Sequence, residues 1–125
     1  MDREMAAQVL GHQLKGIMLH VDLFRAYLRH KNKRCAMRHY SHVLDETRIF
    51  LLTSKKIIEG MDENIEPAKE ATIIIPEEEE KLLPTWQQWE HDTTAFYHQL
   101  MVDNQNCTWL KKLHDAAACE IIKAY

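Results

Sequence analysis

Three glycines, three prolines and three cysteines in a chain of 125 residues leave little material for several kinds of chemistry. So few glycines provide no Gly-rich phosphate loop, and no Ser/His/Asp order or nucleophile motif occurs. Cys35, Cys107 and Cys119 are odd in number and form no CxxC pair, which points to free thiols in a reducing compartment and away from a disulfide framework. Apolar runs are only a few residues long, too short to span a bilayer, so no membrane partner is expected. The opening MDREMAAQVL carries acids and no apolar core of signal-peptide length, so no secretion and a cytoplasmic location are expected.

What is present is the composition of an ordinary globular protein, 46% hydrophobic and 28% charged, of a length that suits one domain over residues 1–125. The net charge of −3 hides an asymmetry. Residues 1–62 hold 11 Lys and Arg against 7 acids, and residues 63–125 hold 5 against 12, so the halves carry +4 and −7. All six arginines lie in the first half. Between Leu23 and Leu44 there is no acid at all, only Arg25, Arg29, Lys31, Lys33, Arg34 and Arg38. Such bipolarity points to an internal pairing or an oriented partner surface.

Apolar periodicity predicts four helices. The first, α1 over about 5–29, repeats Leu10, Leu14, Ile17, Val21, Phe24 and Leu28 at spacings of four and three. Further apolar residues, Leu19, Leu23, Ala26 and Tyr27, fall on its other sides, which predicts burial by several neighbours or a seam for a second chain. The second, α2 over about 33–60, runs through Ala36, Tyr40, Val43, Thr47, Phe50, Ile57 and Met61 and stops at Gly60. Only Lys31, Asn32 and their neighbours can turn between them, so the pair is antiparallel. A connection over 61–83, interrupted by Pro67 and Pro76, carries the β-branched run Thr72 to Ile75, whose isoleucines are expected to pin it against the helices. Then come α3 over about 84–102, with inner residues Trp86, Trp89, Thr93, Phe96, Tyr97 and Leu100, and α4 over about 106–124, with Leu110, Leu113, Ala117 and Ile121. The expected fold is all-α, an antiparallel four-helix bundle with one long connection between α2 and α3.

Eight histidines sort by helical geometry. His12, His91 and His98 point away from the apolar stripes and His30 sits at the turn, so these four are expected at the surface. Cys35, His39, His42 and Glu46 share one narrow strip of α2 aimed at a neighbouring helix. His20 flanks the stripe of α1, His114 lies within that of α4, and Glu90 flanks that of α3. Imidazoles and carboxylates converging from several helices are how bundles hold metals, so His20, His42, Glu46 and His114, with Glu90 and His39 as further possibilities, form a candidate site for iron or zinc. Counted from the α1–α2 turn, His20 and the His42–Glu46 pair lie level at about 15–20 Å. Glu90 and His114 reach that height only if the long connection returns the chain to the turn. The alternative reading is a set of polar core histidines without cofactor, each donating a ring N–H to a carboxylate such as Glu46.

The returning connection resembles the crossover of ferritin-like bundles, and His42-x-x-x-Glu46 resembles the histidine and carboxylate pair of a hemerythrin helix. This chain departs from both, having no Glu-x-x-His on any helix and no His-x-x-x-His on α3. Arg25-x4-His30 and Arg34-x4-His39 resemble the Arg-x4-6-His pairing of HEPN ribonucleases.

The leading functional expectation is a non-catalytic, regulatory helical protein that binds a macromolecular partner, a protein or a second copy of itself. Its contact surfaces are the basic α1–α2 end and the apolar seam of α1. Nucleic acid fits the same six cations, with Tyr27 and Tyr40 to stack on bases, but an overall pI near 6.2 favours a protein. The acids Glu77 to Glu80 supply a competing partner inside the chain.

Overall fold

Helix α1 starts where Asp2, in extended conformation, accepts a hydrogen bond at 2.7 Å from the Met5 backbone N–H. It ends at Arg29, where Lys31 takes a left-handed conformation at φ 58° and the Asn32 N–H donates to the Tyr27 carbonyl. Asn32 then caps the next helix by accepting from the Cys35 N–H at 3.1 Å. Turn and cap thus follow within three residues. The computed structural model describes residues 2–104 and 107–125, and among these the fold is all-α with four helices and no strand. They are α1 (Arg3–Arg29), α2 (Lys33–Met61), α3 (Leu82–Asp103) and α4 (Thr108–Ala124), with a 3-10 turn (Glu79–Lys81) leading into α3. The chain divides into two compact units, Asp2–Glu79 and Glu80–Tyr125, each built on one helix pair.

The seam between α1 and α2 differs from the expected stripe. On α1 the buried line is Val9, Gln13, Gly16, His20, Leu23 and Tyr27, whereas Leu14 and Leu28 are 37% and 46% exposed. On α2 the buried residues are Ala36, His39, Thr53 and Ile57, and Tyr40 is exposed. The reason is that the middle of the seam is polar. Gln13 Nε2 donates to Thr53 Oγ1 at 3.1 Å, and His20 Nδ1 meets His39 Nδ1 at 2.8 Å, so the polar side chains of α1 face α2 and a purely apolar reading places the face too far round. Apolar packing closes the far end, where Ala6, Leu10, Ile57 and Ile65 form a cluster flanked by Ala7, Phe50 and Met61.

Helix α2 does not stop at Gly60. It continues to Met61 and is capped by Asp62, itself left-handed at φ 53°, whose N–H donates to the Ile58 carbonyl at 2.8 Å. From there the connection runs back along α1. The Ala68 N–H donates to the Ala7 carbonyl at 2.8 Å, Glu70 comes to 3.9 Å from His12, the His30 ring lies 2.8 Å from the Glu77 carbonyl, and Asn32 Nδ2 donates to Glu79 at 2.8 Å. At about 3.3 Å per residue the segment from Ala68 to Glu77 reaches about 30 Å, most of the roughly 35 Å that α1 rises from Ala7 to His30 at 1.5 Å per residue, and the His30 side chain meets its end. It is therefore a nearly extended strap, and it delivers the chain to the α1–α2 turn. Ile73 and Ile75 are half-buried while Ile74 between them is 91% exposed, as alternation along an extended segment requires. The strap lines a groove with Leu14, Met18 and Leu19 of α1, so part of the surplus apolar surface of that helix is met within the chain.

In the second unit, α3 buries Leu82, Trp86, Trp89, Thr93, Tyr97 and Leu100, and α4 buries Leu110, Ala117 and Ala124. Gln87 Nε2 donates to the Ala124 carbonyl at 2.9 Å and His91 meets the Tyr125 hydroxyl at 3.1 Å, which fixes the pair as antiparallel. Pro84 sits in the first turn of α3, where a missing N–H costs nothing. The expected start of α4 at 106, and Gln105 of the turn before it, lie outside the described residues.

Two glycines distinguish contact from propensity. A Cβ on Gly11 would lie 2.3 Å from the Ala68 carbonyl oxygen, so Gly11→Ala is expected to push the strap off α1 and to cost about 1–3 kcal/mol. A Cβ on Gly60 meets nothing within 4 Å, so Gly60→Ala is expected to gain up to about 1 kcal/mol from helix propensity alone. Urea denaturation of both variants checks the opposite signs.

A candidate metal centre between α1 and α2

His42 and Glu46 are four residues apart on α2 and share one face, with His39 a turn earlier on the same face. Opposite them His20 enters from α1 with no exposed surface. Its Nδ1 lies 2.8 Å from His39 Nδ1 and its Nε2 lies 2.9 Å from Glu46 Oε2. The His20 ring stacks on that of His42 at 4.8 Å and 15° and on that of His39 at 5.1 Å and 27°. His39 in turn stacks on Tyr27 at 5.6 Å and 8°. One donor atom each from His20, His42 and Glu46 falls within 4.8 Å of the other two.

Electrostatics separate the roles of these groups. Burial, helped by the neighbouring His20, His42 and Arg38, pushes the His39 imidazole down to about 3, so His39 is neutral throughout the physiological range. A neutral His39 is one donor and one acceptor, and its Nδ1 is committed to His20. His42 and Glu46 are only half-buried, which leaves the cluster a solvent-facing side. Two imidazoles and one carboxylate form the donor set of catalytic zinc sites and of the facial triad that holds iron(II). Tetrahedral ligands at about 2.0–2.1 Å stand roughly 3.3 Å apart. The 4.8 Å spread thus closes with a shift of about 1.5 Å, within reach of side-chain rotation.

Of the expected ligands, His20, His42 and Glu46 are together in the first unit. His114 belongs to the second, half-buried on α4, its ring 5.9 Å from that of His98 and its Nδ1 3.4 Å from the Asp115 carboxylate. Glu90 also belongs to the second unit, where it is buried and accepts a hydrogen bond from Trp86 Nε1 at 2.9 Å. Cys35 shares the α2 strip, is half-buried, and stands outside the three-residue group. Arg25, Arg29, Lys31, Lys33, Arg34 and Arg38 are all exposed around the α1–α2 turn. The acidic end of the strap arrives beside them, held by His30 and Asn32. Of the two histidines in Arg-x4-His spacing, His39 is buried against His20 and His30 contacts the strap.

Among the histidines expected at the surface, one is not there. His30, His91 and His98 are exposed, but His12 is buried, with 6% of its surface exposed, because the strap brings Glu70 to its side of α1. No signal within α1 itself could have placed it; the covering residues lie more than fifty positions later.

Compared with protein-family models, with curated proteins and with solved structures, the chain matches none. The resemblance to ferritin-like and hemerythrin bundles therefore rests on the returning connection and the His42–Glu46 spacing alone.

Burial, with Lys15 adding to it, lowers the His12 imidazole from 6.5 to about 4, and Glu70 at 3.9 Å does not offset this. The unfolded chain therefore takes up a proton near pH 6.5 that the folded chain refuses until about pH 4. Stability is expected to be unaffected by this group above pH 7 and to fall as pH drops through that window. His12→Leu should flatten the slope of urea-derived stability between pH 7 and 5 relative to the parent.

Proposed function

We propose that this protein binds a divalent transition metal ion, zinc or iron(II), through His20 and His42 as imidazole ligands and Glu46 as the carboxylate. The observation that carries this is the convergence of three donor atoms from two helices to within 4.8 Å around a fully buried ring. A buried imidazole 2.9 Å from a carboxylate also occurs as a plain polar core pair. What favours a cation is the second imidazole, stacked at 4.8 Å and adding a third donor on the half-exposed side. Three protein ligands leave coordination positions for water, where a bound ion supplies Lewis acidity. The helix pair positions the ligands through the α1–α2 turn, and the strap holds α1 against movement along its length.

Elemental analysis of protein purified without chelator, then dialysed and reloaded, tests the assignment. About one zinc or iron per chain is expected, with His20→Ala, His42→Ala and Glu46→Gln each losing it. His114→Ala is expected to retain it, since three ligands suffice. No stoichiometric metal in the parent protein would contradict the assignment.

A second reading follows from the exposure of all six cations at the α1–α2 turn. There the protein engages the acidic surface of a partner protein, beside the strap end that His30 and Asn32 hold at Glu77 and Glu79. Neutralising Arg25, Arg29, Arg34 and Arg38 to Gln is expected to abolish low-salt binding to labelled polyglutamate, read by fluorescence anisotropy. Unchanged binding would remove the basic end from consideration.

A further inference from the structure

The Nδ1···Nδ1 contact of 2.8 Å between His20 and His39 requires one ring to donate and the other to accept. Which does so is tied to what lies at the other nitrogen of His20. A neutral imidazole carries a single N–H. When the Glu46 carboxylate, with Oε2 2.9 Å away, alone faces Nε2, its negative charge favours the proton on Nε2, His20 Nδ1 is the acceptor, and His39 donates from Nδ1. When a cation takes the Nε2 lone pair, that nitrogen cannot keep its proton. A neutral His20 then carries the proton on Nδ1, and His39 Nδ1 must accept.

We propose that His39 is the positioning residue of the metal centre, and that a divalent cation bound at His20 Nε2 reverses the direction of the His20–His39 hydrogen bond. The proposal rests on the metal assignment above. The proton balance is closed. His20 loses the Nε2 proton to solvent and gains the Nδ1 proton from His39, while His39 gains one at Nε2 from solvent, so both rings stay neutral. No net proton is released by this pair. His39 is suited to the task because its ring is buried and stacked on Tyr27 at 5.6 Å and nearly parallel, so its plane is fixed before the ion arrives. It holds the His20 ring with Nε2 directed at the cluster, as a hydrogen-bonded partner behind a metal-binding histidine does elsewhere. It also explains why a second histidine sits in the α2 strip without belonging to the ligand group.

Long-range nitrogen–proton correlation NMR on the wild-type protein at pH 8, where an ordinary imidazole is neutral, reads the tautomer of each ring with and without one equivalent of zinc. The expected result is exchange of both tautomers on zinc addition, His20 from Nε2–H to Nδ1–H and His39 from Nδ1–H to Nε2–H. Zinc binding with both tautomers unchanged overturns the proposal and leaves the metal site standing. Failure to bind zinc overturns the metal site and this proposal with it. Zinc affinity of variants provides a second measure: His39→Leu removes the acceptor and is expected to bind 10–100-fold more weakly. His39→Asn can present an oxygen at the Nδ1 position and should stay within a few-fold of the parent. Equal losses in the two variants would reduce His39 to packing, and circular dichroism of both verifies that the helices have formed.

Discussion

A fully buried imidazole at the middle of a two-helix seam constrains everything around it. His20 has no contact with solvent, so its ring nitrogens are met only by the protein, both from one face of α2: Nδ1 is hydrogen-bonded to His39, and Nε2 lies 2.9 Å from the Glu46 carboxylate as a charge contact outside hydrogen-bond geometry. An unmet polar group at such a position costs about 1–3 kcal/mol, comparable to a large share of the stability of a small domain. The register of α1 against α2 is thereby tied to a polar contact as well as to hydrophobic burial. Sliding α1 by one turn, about 5.4 Å, would separate His20 from His39 and Glu46 and Gln13 from Thr53 together.

The strap is the second constraint, and it acts on α1 from outside the seam. It reaches α1 at Ala7, passes over Gly11 and His12, and ends beside His30 and Asn32. Because it approaches so closely at Gly11, a glycine inside a helix, which normally weakens it, here permits a backbone contact that any other residue would block. The strap also relates the two charge blocks. Its acidic end comes to the basic turn through one backbone carbonyl and one carboxylate, so the acid-rich stretch before α3 begins where the cations are most concentrated. Surface pairs of this kind are worth about 0–1 kcal/mol each, and their effect is to orient the strap end more than to stabilise it.

Much of this was legible in the sequence, and the illegible parts have physical causes. The four helices follow from periodicity and the antiparallel α1–α2 pair from the short turn at Lys31 and Asn32, and the all-α class follows with them, whereas the capping by Asn32 emerges only from the structure. The levels of His20, His42 and Glu46 follow from counting residues from the turn. What periodicity misplaced was the inner face of α1, because Gln13 and His20 hydrogen-bond across the seam, and a hydrophobic pattern passes over Gln13 and leaves His20 only at the flank of the stripe. Gly60 looked like a helix stop, but the left-handed position fell two residues later on Asp62. His12 could not be read as buried from its own helix, since what covers it arrives from the strap.

The central claim is the ligand set of the α1–α2 cluster, and X-ray absorption at the zinc edge of the loaded protein tests it most directly. Two imidazoles and one carboxylate predict a first shell of nitrogen and oxygen at about 2.0–2.2 Å, with the outer-shell scattering of two histidine rings. Sulfur scattering at about 2.3 Å would instead place Cys35 or another thiol on the metal, and absence of histidine scattering would remove His20 and His42; either result contradicts the account.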